Sequence, residues 1–207
     1  MSRAPRGYNK SVFVNAPFSL DRRTIFNAIV FTVQACGFAP RCALEIDNAG
    51  QVRLDKIRDL IRDCHLGVHD ISFMELDGDL PRFNMPFELG LFLGASHFGD
   101  GWTRRKTCTI LDSHPYRYQR ALSDIAGQDI RTHDMDASTA SAQVRDWLSD
   151  QSRAAAPVLG AANIWGLYGE FEAGLPALAN ASGLVADDLT FRERRHIASE
   201  WLKRRLA

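Results

Sequence analysis

No stretch of this chain reaches the roughly 18 apolar residues that a membrane-spanning helix needs. Its first ten residues are polar and basic, and the run that follows, Val12-Phe13-Val14, is far shorter than the core of a signal peptide. Cysteine is scarce. The four present, Cys36, Cys42, Cys64 and Cys108, form no CxxC pair and no zinc-type spacing with histidine, and each lies in or beside an apolar run. Buried free thiols in a reducing compartment, and a cytoplasmic protein with no membrane partner, are therefore expected. There is no excess of either charge: 25 basic residues balance 25 acidic ones. No global field draws the protein to nucleic acid or to an anionic surface. A Walker loop, a GxGxxG after the first strand and a GxSxG elbow are all missing, which excludes their nucleotide-hydrolysing, dinucleotide-redox and serine-hydrolase chemistries. His65 and His69 share a strand face but lack a third ligand, so no metal is expected. No repeat or low-complexity segment is found.

What is present is globular. Hydrophobic residues make up 45% and charged residues 24% of 207, enough for one main domain with a real core. Short β-branched or apolar runs at 11–17, 38–46, 64–71, 107–111 and 129–133 read as strands, the second as an edge strand because it holds Pro40. Between them lie helical patterns at 21–36, stopped by Gly37, and at 52–63, where Leu54, Ile57, Leu60 and Ile61 recur at helical spacing. Gln143, Val144, Trp147 and Leu148 mark another helix. Strands alternating with helices predict a parallel sheet covered on both faces, with ligands bound outside the carboxyl ends of its strands.

The pattern changes after residue 157. Helices at 163–181 and 191–206 predict a helical extension that packs on the sheet domain or on a partner subunit. The division expected is a tail over 1–10, an α/β domain over 11–150 and the extension over 157–207. The extension carries Arg192, Arg194 and Arg195, a cluster that reads as a solvated face or a phosphate contact.

The stretch Arg82-Phe83-Asn84-Met85-Pro86-Phe87-Glu88-Leu89-Gly90-Leu91-Phe92-Leu93-Gly94 sets one carboxylate into an apolar helix just after the third strand. Asn84 suits the cap and Pro86 the first turn, which predicts a helix over 84–96 with Glu88 in its first turn. Apolar residues stand on nearly every side, so the helix is expected to be covered over most of its surface. Gly90 and Gly94, one turn apart, suggest a close approach of backbone or ligand. Glu88 itself reads either as a helix-dipole carboxylate or as a nucleophile or stabiliser of a developing cation.

The strand running into Val14-Asn15-Ala16-Pro17-Phe18, the third strand ending on Asp70, and the Phe87-Glu88-Leu89-Gly90 helix together resemble the nucleoside 2-deoxyribosyltransferase-like proteins and the TIR-like NAD-cleaving domains. The likeness spans about residues 10 to 150. It implies a flavodoxin-like sheet of about five parallel strands and gives Glu88 the role of attacking or stabilising the anomeric carbon of a ribosyl group. The substrate implied is a small nucleotide or nucleoside, with NAD a candidate, and no separate cofactor. Service as a bacterial defence effector is also implied, and a homo-oligomer is expected from the helical extension and a crevice that a second subunit could complete. On this reading Met85, Phe87 and Phe18 wall the leaving base, Asp70 holds ribose hydroxyls, Asn15 or Asn84 orients the ribose or Glu88, and Arg82 meets phosphate. Each has a plainer use, as turn former, cap or solvated charge. Deoxyribosyl transfer, nucleotide N-glycosidase activity and non-catalytic nucleotide sensing are the alternatives.

Overall fold

The computed structural model describes residues 3–45, 50–74, 76–77, 80–154 and 156–206. The expected end of the second strand at Ile46 and the turn at 47–49 lie outside the described residues. The strands are β1 (Ser11–Asn15), β2 (Ala39–Arg41), β3 (Leu66–Asp70), β4 (Leu76–Asp77), β5 (Leu80–Pro81), β6 (Thr107–Asp112) and β7 (Ile130–Thr132). Five of them form an all-parallel sheet in the order β2-β1-β3-β6-β7, while β4 and β5 make a small antiparallel pair. The helices are α1 (Arg23–Ala35), α2 (Arg53–Asp63), α3 (Asn84–Phe98), α4 (Ala137–Gln151), α5 (Ala161–Ala181) and α6 (Phe191–Leu206). This is a flavodoxin-like α/β fold with C-terminal helices. None of the helices among the described residues is long and apolar enough to cross a membrane.

The central strands explain themselves. Every residue of β1 and β3 is buried, as a strand covered on both faces requires. Alternation then divides the core. Val12 and Val14 face α1 and α4, while Phe13 faces Ile57, Leu60 and Ile61 of α2 and Phe92 of α3. Pro40 stands opposite Val12 on the edge strand β2, where a missing N–H is tolerated. Gly37, at φ +79°, ends α1. Its N–H donates to the Gln34 carbonyl and that of Phe38 to the Val33 carbonyl, closing the helix end in a Schellman motif. Gly67 in β3 is needed for a different reason. A Cβ there would stand 2.7 Å from His69 Nε2 and 2.9 Å from Phe92 Cζ, so Gly67→Ala is expected to cost about 1–3 kcal/mol in urea unfolding.

Three expectations are corrected. Asn84 is not the cap of α3; it is the first helical residue, and Phe83 is the cap, because the first intrahelical bond runs from Phe87 N–H to the Phe83 carbonyl. Glu88 therefore falls in the second turn and closes no capping box. Nor is α3 covered over most of its surface. Only Glu88, Leu89 and Phe92 are buried, while Phe87 and Phe98 are 55% and 90% exposed. Gly90 has no neighbouring atom within 4 Å of an added Cβ, and beside Gly94 stands only the Phe98 ring of the same helix, so this glycine stripe faces outward. A helix of apolar residues states what its surface is, not what covers it.

The helix buried along most of its length is α1, from Ile25 to Val33, because it lies between the sheet and an outer layer. That layer is α5 and α6. Phe31 of α1 stacks on Phe171 of α5 at 5.3 Å and meets Trp201 of α6 at 6.1 Å. Gln34 Nε2 donates to the Arg195 carbonyl, and Arg145 of α4 donates to the carbonyls of Val158 and Leu159. The helical extension thus shares one core with the sheet domain. The expected tail is anchored too: Tyr8 is buried, and its hydroxyl donates to the Trp102 carbonyl. Lys106 packs against the Tyr8, Phe92 and Trp102 rings and donates to the carbonyls of Ile61 and Cys64 at the end of α2.

Candidate functional site

Strand order reverses between β1 and β3, since β1 leads by α1 to β2 on one side and the chain then returns by α2 to β3 on the other. A crevice opens outside the carboxyl ends of these two strands. The last residue of β1, Asn15, holds α3 across it. Asn15 Nδ2 donates to the Met85 carbonyl at 2.9 Å and to His69 Nδ1 at 3.0 Å. Accepting at Nδ1 puts the proton of His69 on Nε2, which is buried between Gly67 and Phe92 without a hydrogen-bond partner among the described residues. Burial pulls the His69 pKa down to about 3, so the ring is neutral and serves as a spacer.

Both hydrogens of the Asn15 amide are spent on these bonds. Its oxygen, Oδ1, is buried and has no hydrogen-bond partner among the described residues. Asn15 lines a small cavity together with Glu88, Phe18, Phe26, Met85 and Arg53. Glu88 is 6% exposed, and among the described residues none donates a hydrogen bond to its carboxyl group. Burial pushes its pKa up to about 7, against the opposing pull of the Arg53 guanidinium. At neutral pH the group is thus poised between acid and carboxylate, as acid–base or nucleophilic chemistry at that pH requires.

Phe18, Met85 and Arg53 also border a second cavity of about 120 Å³, which is lined besides by Arg82, Asn84, Ser19 and Phe73. The Arg82 and Arg22 guanidinium groups lie 5.0 and 5.2 Å from the centre of the Phe73 ring. An aromatic ring flanked by cations and two arginines on the cavity wall suit a planar group joined to phosphate.

The structure brings six of the eight expected residues to this place. Glu88 and Asn15 lie in the inner cavity, Arg82 and Asn84 in the outer one, and Phe18 and Met85 in both. Phe87 is exposed and lines neither cavity, and Asp70 does not join the six. It is 1% exposed, its Oδ1 accepts from Ser72 N–H at 2.9 Å and from His133 Nε2 at 3.4 Å, and it lines neither cavity. Asp112, at the end of β6, is likewise taken up by Arg117 and Ser113 N–H. Both carboxylates tie loops to the sheet through their Oδ1 atoms, and Asp112 Oδ2 is buried with no hydrogen-bond partner among the described residues. No group of three or more metal-ligating side chains is found among the described residues.

Arg53 and Phe73 escape a reading of the sequence. Arg53 had one signal, a cation opening α2 where the helix dipole favours an acid, and such a mismatch marks a charge kept for another purpose. Phe73 had a weaker one, the single aromatic ring in the sequence from Ser72 to Arg82. No protein-family profile, curated protein or solved structure matches the chain.

Proposed function

We propose that the Glu88 crevice cleaves the N-glycosidic bond of NAD or a related nucleotide. The observation that carries this reading is a buried carboxyl group to which no described residue donates a hydrogen bond, set at the switch point of the sheet beside Phe18 and Met85, with Arg53 and Arg82 on the adjoining wall. In its carboxylate form Glu88 stabilises, or bonds to, the anomeric carbon as positive charge develops there. The C1′–N bond breaks and its electron pair goes to the departing base. Nicotinamide leaves as a neutral molecule, so no strong general acid is required. Water then bonds to C1′, the Glu88 oxygen leaves with its electron pair where it had bonded there, and the water's proton passes to solvent. Phe18 and Met85 cover the base, and Arg53 and Arg82 meet phosphate. The four unpaired cysteines, three of them buried, support a reducing, cytoplasmic setting.

Chromatography of NAD, deoxynucleosides and nucleoside monophosphates after incubation with wild-type protein and with Glu88→Gln tests the reading. Release of nicotinamide or free base, reduced by roughly 10³-fold or more in the variant, is the expected result. A bound ligand without release would mark a sensor instead. The pH profile gives a second check. Only the carboxylate serves, so activity is expected to fall about tenfold per pH unit below about 7, the value to which burial raises Glu88. Arg53 draws that pKa down, so Arg53→Gln is expected to move the acid limb to higher pH. A limb that moves to lower pH, or does not move, would remove Arg53 from the account.

A further inference from the structure

The crevice at Glu88 is too small for a whole nucleotide, and a larger groove adjoins it. This groove, of about 430 Å³, lies between α1 and the start of α6, and Phe18 and Phe26 line both it and the Glu88 cavity. Its volume falls within the range of small-molecule sites, roughly 300–1,000 Å³. Three rings form a row leading into it: Phe18 meets Phe26 at 6.3 Å, and Phe26 meets Phe191 at 6.2 Å. Such a row offers a stacking surface to a planar base.

The polar groups of the groove fall into two sets. Arg194 and Arg195 are already engaged, with Glu172 and with Glu45 and the Pro40 carbonyl. Arg23 and Asn27, one turn apart on α1, have side chains that form no hydrogen bond or ion pair with any described residue, although both line the groove. An amide is the side chain that pairs with both the donor and the acceptor on the edge of adenine. Arg23 brings a cation suited to phosphate. Asp187, on the far wall, is suited to ribose hydroxyls.

We infer that this groove holds the adenylate half of a dinucleotide whose scissile ribosyl bond lies at Glu88. The inference rests on the ribosyl-cleaving reading above and narrows its substrate: a two-lobed site favours a dinucleotide over a deoxynucleoside or a nucleoside monophosphate. It also gives the C-terminal helices a part in recognition, through Phe191 and the wall that α6 supplies.

Two variants test it. Asn27→Trp fills the groove, and Arg23→Glu reverses its exposed charge without touching the core. In each, the KM for NAD is expected to rise about tenfold or more while kcat stays within about twofold, and cleavage of nicotinamide mononucleotide, which lacks the adenylate, is expected to stay within about twofold. Calorimetric titration with AMP provides a readout apart from catalysis. AMP is expected to bind wild-type protein and Glu88→Gln alike and to lose about tenfold or more in affinity for Asn27→Trp. If wild-type protein cleaves no substrate yet binds AMP in this pattern, the catalytic reading fails and the groove assignment stands. An unchanged KM for NAD in both variants, or no AMP binding to wild-type protein at millimolar concentration, overturns the assignment. Thermal melting of both variants guards against a loss that merely reports misfolding.

Discussion

At pH 8, Glu88→Gln is expected to unfold at a higher urea concentration than the wild type, by an amount equivalent to about 2–3 kcal/mol. The sign follows from where the proton sits. An unfolded chain titrates Glu88 near the ordinary 4.5, whereas in the folded protein burial holds it near 7. Below pH 4.5 both forms are protonated and the group has no effect. Between 4.5 and 7 the unfolded chain ionises first and gains on the native state. Above 7 the full penalty is in place, and at about 1.4 kcal/mol for each tenfold shift in acidity it comes to about 3 kcal/mol. Glutamine keeps the shape, carries no charge and escapes most of the penalty. The difference between the two proteins should vanish at pH 4 and reach its plateau near pH 8. A variant less stable than the wild type at pH 8 would mean that the carboxylate has a native partner and is a structural group. A residue that costs stability at working pH is what an active site, rather than a core, is expected to hold.

The second large effect lies far from the crevice. Phe171→Ala is expected to lower unfolding stability by about 3–5 kcal/mol, a substantial part of the roughly 5–15 kcal/mol that holds a domain of this size together. Phe171 is 1% exposed and stands between Phe31 of the sheet domain and Trp201 of the last helix. Removing the ring leaves a cavity that three elements border, and close-packed helices relax into such a space only in part. The unfolding curve should remain a single transition with an earlier midpoint. Loss below about 1 kcal/mol, or a separate early transition for α5 and α6, would show the helical pair to be an independent appendage.

Much of this architecture could be read in advance, and for a definite reason. Strands buried on both faces must be apolar at every position, so β1 stands out as Val12-Phe13-Val14 and β3 as a run around Val68. Gly37 marks the end of α1 because a left-handed residue is needed there. The neighbourhood of Glu88 was legible for the same kind of reason, since strand order alone decides which loops meet at the crevice. What resisted was partnership. Asp70 looks available until His133 arrives from 63 residues away to occupy it. Arg53 joins the site through the packing of α2, which periodicity does not specify. Apolar residues all around α3 suggested burial, yet the layer that covers a helix was built over α1 instead. Composition records what a surface needs, and only the tertiary arrangement records whether it is met.

That outer layer has a consequence for how the protein comes into being. The contact between Gln34 and Arg195 joins residues 161 positions apart. At the usual pace of synthesis, about 5–20 residues per second, roughly 10 to 30 seconds separate the emergence of α1 from that of its cover. Throughout that interval the nascent chain presents Phe31 and its neighbours bare. Completion of the native state is therefore tied to the last turns of α6, and the growing polypeptide is a natural client for chaperones that hold apolar helices at the ribosome.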